Sequence, residues 1–521
     1  MNKNLVLAFT LSFAVYAGWL YWVEKKYPNA HKKPAVTAPA QAGANGKPQI
    51  SPVAAPAAKN APVKQVQPVS QEQQDMPVAY TSGKADFEFS HYGAAIKSCR
   101  YRGPVNTAQL IPNSNPGFFA TMPGVYFNLA GQENNRFRFE AALAQGVGMT
   151  KTYAFSEEGL GELEISISNS LKTAVEVPDW GINFGPGIGT VESEEKENTK
   201  LWQTACAIHR EGKKHAVVEN IKSEEKTPKE PWVWAGIENR YFLAALIPQQ
   251  WPYHSIKFSE QKIENTKTPS IEVTAPAMVI NPGETKSWKF SFYFGPKDYR
   301  KLQLLGHELD RSVEFGFFTT LGKLAMKVLY FNHGFTGNYG WSIVILTLLV
   351  QLILMPFTIK SNKSMMEMKK IQPELQKLQE KYKKDPQRLN MEMLELYKKH
   401  KVNPLGGCLP MLFQIPVFFA LFTALRNSWD LHGAPWIFWI HDMSAKDPFY
   451  VLPLIMGALM FFQQKMTMAN DNNPQMAVLK WMPVIFTFMF LTFPSGLVLY
   501  WTTSSIVSFI QQIWLKKTMS A

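Results

Sequence analysis

Residues 481–515 read WMPVIFTFMFLTFPSGLVLYWTTSSIVSFIQQIWL, 35 positions without a charged side chain. A helix crossing a hydrocarbon core of about 30 Å needs roughly 20 residues at about 1.5 Å each, so the stretch is too long for one span. Phe493-Pro494-Ser495-Gly496 supplies the break, because proline withdraws a backbone donor and glycine admits a turn. Two spans follow, the fifth of about 13 to 17 residues and the sixth of about 19, and with them an integral membrane protein.

Working toward the N-terminus, uncharged apolar runs recur at 449–464, at 405–425 with Pro410 and Pro416 inside, at 341–358, and at 5–23 between Lys3 and Glu24-Lys25-Lys26. The first run reads as an uncleaved signal anchor (domain 1–24), with Trp19, Tyr21 and Trp22 as interfacial anchors. A cleaved signal peptide is the competing reading. Six spans put Lys3 and Lys516-Lys517 on the same, cytoplasmic, side.

The charges divide the chain. Residues 311–521 carry 21 basic and 11 acidic side chains, whereas 24–310 carry 32 and 30, an ordinary water-soluble balance. Within 360–401 alone there are 12 basic and 6 acidic residues. A basic loop between spans is first a cytosolic topology signal, and it can also meet anionic lipid or ribosomal RNA. Ile371, Leu375, Leu378 and Tyr382 form one apolar stripe there and Leu389, Met393 and Leu396 another, with Asp385-Pro386 between. A charged helical hairpin is predicted.

Residues 25–78 are rich in Pro, Ala and Gln and poor in aromatics, the composition of a disordered tether. From 79 to 310 the period changes to two. Leu163-Glu164-Ile165-Ser166-Ile167 alternates, and Trp288, Phe290, Phe292 and Phe294 fall on one face of a strand. An all-β sandwich is predicted. Val313, Phe317, Leu321, Leu324, Val328 and Phe331 then recur at helical spacing, which reads as an amphipathic interfacial helix over 311–334 or as a soluble core helix. Three cysteines, Cys99, Cys206 and Cys408, show no metal spacing; Cys99 and Cys206 either pair or remain two buried thiols.

The chemistry sits at bilayer depth. Thr347 and Gln351 project from one face of the second span, Gln414 lies in the third, and Trp501, Ser504, Ser505, Ser508, Gln511 and Gln512 stripe the sixth. Interhelical hydrogen bonding accounts for one or two such residues; a water-accessible groove accounts for three helices of them. The short fourth and fifth spans suit local membrane thinning. The sequence holds no GxxxxGK[ST], HExxH or GxSxG motif and no charged residue within the spans, which argues against an ATPase, a metalloprotease or a proton-coupled transporter. No metal, cofactor or small-molecule substrate is expected. Two rival readings are a channel or transporter with a ligand-binding periplasmic β domain and a tethered carbohydrate-binding or epimerase protein, although His209, His215 and His254 show no recognisable catalytic arrangement.

The stretches VNPLGGCLP at 402–410, WIFWIHDMSAKDPFYVLPLIMGALMFFQQK at 436–465 and FPSGLVLYW at 493–501 resemble the YidC family of membrane-protein insertases, collinearly over 335–517. Glu230-Pro231-Trp232 and Arg240-Tyr241-Phe242 are similar to the long Gram-negative form. The resemblance implies a membrane α-helical bundle of six transmembrane helices with a five-helix core at 335–521, plus a periplasmic β-supersandwich at 79–310. It implies a non-enzymatic insertase and chaperone of the bacterial inner membrane. Nascent membrane proteins, the Sec translocon, the ribosome (through the hairpin and basic tail) and the phospholipid bilayer are the implied partners. The implied groove is lined by Thr347, Gln351, Gln414, Trp501, Ser504 and Ser505, and the implied apolar exit face by Leu412, Pro416, Phe418, Met456, Met460 and Met489. Many members carry an arginine where this chain has Gln351. An amide supplies hydration and hydrogen bonds without a permanent charge.

Overall fold

A computed structural model describes residues 64–65 and 74–520, apart from 105, 112–116, 157–158, 222–224, 227–231, 250–254, 264–265, 383–384, 401, 403–408 and 468–473. The signal anchor at 1–24 and most of the tether lie outside the described residues. The described part of the tether is more ordered than its composition predicts. Lys64–Gln65 pairs in parallel with Val175–Glu176. The Asp75 carboxylate accepts from Ser90 Oγ and the His91 N–H, both at 2.9 Å, and from Lys97 Nζ at 3.3 Å.

The β domain is built on a nine-stranded antiparallel sheet in the order Val217–Ile221, Gln203–Ile208, Trp232–Glu238, Phe242–Pro248, Thr285–Pro296, Leu160–Asn169, Val147–Phe155, Arg136–Ala144 and Asn128–Glu133. Five-, four- and three-stranded sheets complete it. Leu163, Ile165 and Ile167 are fully buried between polar neighbours, so the two-residue period sets which face meets the core. Phe290 and Phe292 lie opposite Leu163 and Gly161 in register and enter the same core, while Trp288 stays half-buried.

Beyond Phe290 that strand is buried on both faces, as are the apolar runs Trp232–Glu238 and Phe242–Pro248. The reason is a second layer: Ala205, Trp234, Leu243 and Tyr293 on the outer face pack with Tyr299, Leu302, Leu309 and Phe315, and through them with the helical bundle. Two short helices break the all-β expectation, α1 (Glu195–Leu201) and α2 (Tyr299–Leu305). Cys99 and Cys206 are buried free thiols in strands of different sheets, with burial raising both, Cys206 to about 12.

The bundle comprises α3 (Thr319–Thr336), α4 (Tyr339–Lys370), α5 (Gln372–Lys381), α6 (Pro386–Lys399), α7 (Leu409–Arg426), α8 (Val451–Thr467), α9 (Pro474–Phe490) and α10 (Ser495–Ser520). Among the described residues α4 alone is both long and apolar enough to cross a membrane by itself, with shorter apolar stretches at Phe413–Arg426, Val451–Met466 and Trp481–Phe490. Helix α4 runs 32 residues, about 48 Å at the α-helical rise. It therefore extends past the predicted span end and into the basic segment. Helix α9 begins at Pro474 rather than Trp481, so Lys480 is helical.

The expected 311–334 helix begins only at Thr319, and Val313 is buried in the linker before it. Leu321, Leu324 and Phe331 are exposed, and Met326, Leu329 and Tyr330 form the buried face. The helix is thus apolar on two sides. In the hairpin, Ile371, Leu375, Leu396 and Val402 make a small core with Leu378 and Met393 against it. Asp385 caps α6 by accepting from the Arg388 N–H at 3.1 Å.

Candidate functional site: a polar seam between parallel helices

Gln351 Nε2 donates to Ser504 Oγ, joining α4 to α10. Two turns further on, Thr358 Oγ1 shares its single hydrogen between the Met355 carbonyl of its own helix at 2.9 Å and Gln511 Oε1 across the seam at 3.2 Å. Both partners advance by the same seven residues, so the two helices run parallel and the bonds form successive rungs along one seam. Parallel packing of α4 and α10 puts the hairpin and the C-terminal end of α10 at the same end of the bundle.

Two further amides join the seam. Gln414 Nε2 of α7 donates to Tyr500 Oη at 2.6 Å, and Gln463 Nε2 of α8 donates to the Ser505 carbonyl at 2.6 Å. Thr347 is fully buried and turns its hydroxyl onto its own helix, to the Ile343 carbonyl at 2.7 Å. The seam is buried at this level, with Gln351 3% and Ser505 6% exposed. Toward the hairpin end it loosens. A cavity of about 40 Å³ there is lined by Asn362, Met365, Met366, Met466, Gln512 and Leu515 together with Lys369 and Lys516, and Gln512 Oε1 is buried without a hydrogen-bond partner. Such a space accepts about one water.

The expected lining residues do not all meet. Gln351 meets Ser504, Ser505 contributes only its backbone carbonyl to Gln463, and Gln414 joins through Tyr500, whereas Trp501 turns into an aromatic cluster. Its ring lies 5.0 Å from Phe418, 5.3 Å from Phe490 and 6.0 Å from Phe486. A large ring gains more from this apolar packing than from the polar seam. Phe418, expected on the exit face, is held in the same cluster.

Met456 is completely buried, because the fold places it inside the bundle core rather than on an outer face. Pro416 and Met460 are half-buried, Met489 is 42% exposed, and the Leu412 side chain lies outside the described residues. The outward residues on α7 are instead Phe413, Ile415 and Phe419. Sequence reasoning missed Thr358, Gln463 and Tyr500. Gln463 sits beside Gln464-Lys465 and reads as a span end, and Tyr500 reads as an aromatic anchor.

The bundle and the β domain meet at the 3-10 turn Trp429–Leu431 after α7. Trp429 enters the β-domain core, with ring distances of 5.0 Å to Phe242, 5.9 Å to Tyr241 and 6.0 Å to Tyr101. Asp430 accepts from Tyr330 Oη at 2.7 Å and Tyr339 Oη at 3.4 Å. Burial and the nearby Asp298 raise the Asp430 carboxyl against the pull of these donors. Among the described residues no group of His, Cys, Asp and Glu is placed to hold a metal ion.

Residues 331–521 match the family model described as 60Kd inner membrane protein, and residues 104–328 match that of the YidC periplasmic domain. The membrane protein insertase YidC of Endomicrobium trichonymphae is 36% identical, covering 99% of this chain and 98% of its own. The chain belongs to the YidC membrane protein insertase family. A YidC relative from Geobacter sulfurreducens is 40% identical over 74% of this chain and 72% of its own. The crystal structure of an active YidC insertase with its first transmembrane domain resolved matches 85% of this chain and 94% of its own, at 17% identity and a TM-score of 0.40. As a YidC-family member the chain is a protein of the inner membrane with a large β-rich periplasmic domain and a helical C-terminal region, and its relatives are insertases rather than enzymes.

Proposed function

We propose that this protein inserts newly made membrane proteins into the inner membrane and helps them fold, using the α4–α10 seam as the floor of a hydrophilic groove. The observation that carries the reading is the pair of rungs, Gln351 to Ser504 and Thr358 to Gln511, which set paired polar side chains among the aliphatic and aromatic residues of the two helices. Buried polar groups at such depth are costly unless paired. In the resting protein they satisfy one another. When a client segment arrives, its own backbone and side chains, or water, exchange into those bonds, and the polar part of the client crosses without meeting hydrocarbon.

Gln351 makes the groove neutral, so hydration and a thinned bilayer, rather than attraction of acidic residues to a fixed charge, lower the barrier. The short helices α7, α8 and α9 support thinning, since helices of 17 or 18 residues reach only about 27 Å at most. The groove opens to the cytosol at the end where the seam loosens, and the client leaves sideways past the outward residues of α7 and Met489. Binding energy drives the process and no nucleotide is hydrolysed. The basic hairpin and tail meet the ribosome, both termini are cytoplasmic, and the protein works alone or beside the Sec translocon.

Reconstitution with a one- or two-span client tests this. A protease-protected client fragment is expected with the purified protein in liposomes lacking nucleotide. Absence of the fragment while the protein remains folded would sink the reading, and a solute flux through the empty liposomes would favour a channel instead.

A further inference from the structure

The loop between α7 and α8 is folded rather than extended. Trp436 N–H donates to the Ile440 carbonyl at 2.9 Å and Met443 N–H to the Ala434 carbonyl at 3.0 Å, while Ile440 and Met443 are buried beneath. The Asp447 carboxylate, 1% exposed, gathers three donors: Trp439 Nε1 at 2.9 Å, Phe449 N–H at 3.0 Å and Leu452 N–H at 2.7 Å. It thereby fixes the loop to the first turn of α8.

On this rigid base two phenylalanines point outward, Phe438 at 80% exposure and Phe449 at 66%. Phe438 adopts φ 53° and Tyr450 φ 58°, a left-handed conformation that a side chain bearing a Cβ adopts only under constraint. The Phe438 ring stacks one face on Trp439 at 5.8 Å and leaves the rest open, and backbone strain that keeps a large aromatic ring so exposed is a poor arrangement in water. It is a sensible one if the ring is covered. The apolar surface continues from Phe449 onto Leu454 and Ile455, which are exposed on α8 itself. The loop's exposed cation, Lys446, lies 5.8 Å from the Tyr450 ring, and Trp341 at the start of α4 is also exposed. Rings and a lysine at the end of a span's outer face match the interfacial zone of a bilayer.

We propose that residues 436–450 form a membrane-seated foot whose Phe438 and Phe449 rings insert into the lipid of the leaflet on the β-domain side, fixing the height of the short helix α8. The continuity of the patch with α8 selects phospholipid as its occupant. The inference rests on the bundle being embedded in a bilayer.

The test uses single cysteines carrying an environment-sensitive dye at Phe438, His441 and Ile353 in the full chain in lipid nanodiscs. Cys408 is replaced, and dye incorporation at Cys99 and Cys206 is subtracted with the parent protein. At Phe438→Cys, strong quenching by lipid with a shallow spin label and at least threefold protection from aqueous iodide are expected. At His441→Cys, the reverse is expected. Iodide quenching at Phe438 equal to that at His441, with Ile353→Cys still quenched by lipid, overturns the foot alone. Loss of lipid quenching at Ile353 as well overturns the embedding on which it rests. Protection at Phe438 that appears only after a second membrane protein is added assigns the patch to a protein and also overturns the proposal.

Discussion

Gln351 illustrates how a single side chain changes a mechanism. Replacing it with leucine removes one interhelical bond and leaves Ser504 to find another partner. That bond is worth about 0.6 to 2 kcal/mol, so client insertion should fall roughly 3- to 30-fold in a proteoliposome assay. Gln351→Arg should preserve insertion and favour clients with acidic tails, which distinguishes a hydration role from a charge role.

Lys151 is a second residue whose environment decides its chemistry. It is fully buried in the β domain, donating to the carbonyls of Gly93 at 3.0 Å and of Phe119. Desolvation drives its pKa well below the ordinary lysine range. Two acceptors suit the two hydrogens of a neutral amine. Between the depressed folded value and the ordinary unfolded one, the unfolded chain holds the extra proton, so stability rises with pH and falls as pH drops through the folded value. The difference in unfolding free energy between the natural protein and Lys151→Met should change by about 1.4 kcal/mol per pH unit in that window. Chemical denaturation followed through the β domain at several pH values measures it.

Among elements, the turn Trp429–Leu431 does the work of a joint. Trp429 belongs to the β-domain core and Leu431 to the bundle core, while Asp430 ties α3 and α4 together through Tyr330 and Tyr339. Trp429→Ala should cost about 3 to 5 kcal/mol at this joint. Hydrogen exchange should then accelerate in Phe242–Pro248 and in the loop around Trp429, with the α4–α10 contact unchanged. Equal protection in both proteins would show that the joint contributes nothing. The hairpin was readable from its two apolar stripes because they are local in sequence. The joint was not, since Trp429 and its partners Tyr101, Tyr241 and Phe242 are far apart along the chain.

At the scale of the molecule, the parallel seam makes a topological prediction. Cysteines at Gln387 and Lys517 should both resist an impermeant thiol reagent applied to spheroplasts, whereas one at His441 should react. Reaction at Gln387 or Lys517 with His441 protected would invert the proposed orientation.

The apolar runs, the basic loop and the two-residue alternation are properties of neighbouring residues, and hydropathy and period point from them to bundle helices, a hairpin and a β domain, but not to the starts of α3 and α9 or to the short helices α1 and α2. The seam's polar residue types were also visible, because an amide in an aliphatic run stands out. Their partners were not. Whether Trp501 lines a polar seam or fills an aromatic cluster, and whether Met456 faces outward or lies in the core, depends on the rotation of each helix against its neighbours. That rotation is set by close packing among several helices at once, and the tertiary structure alone decides it.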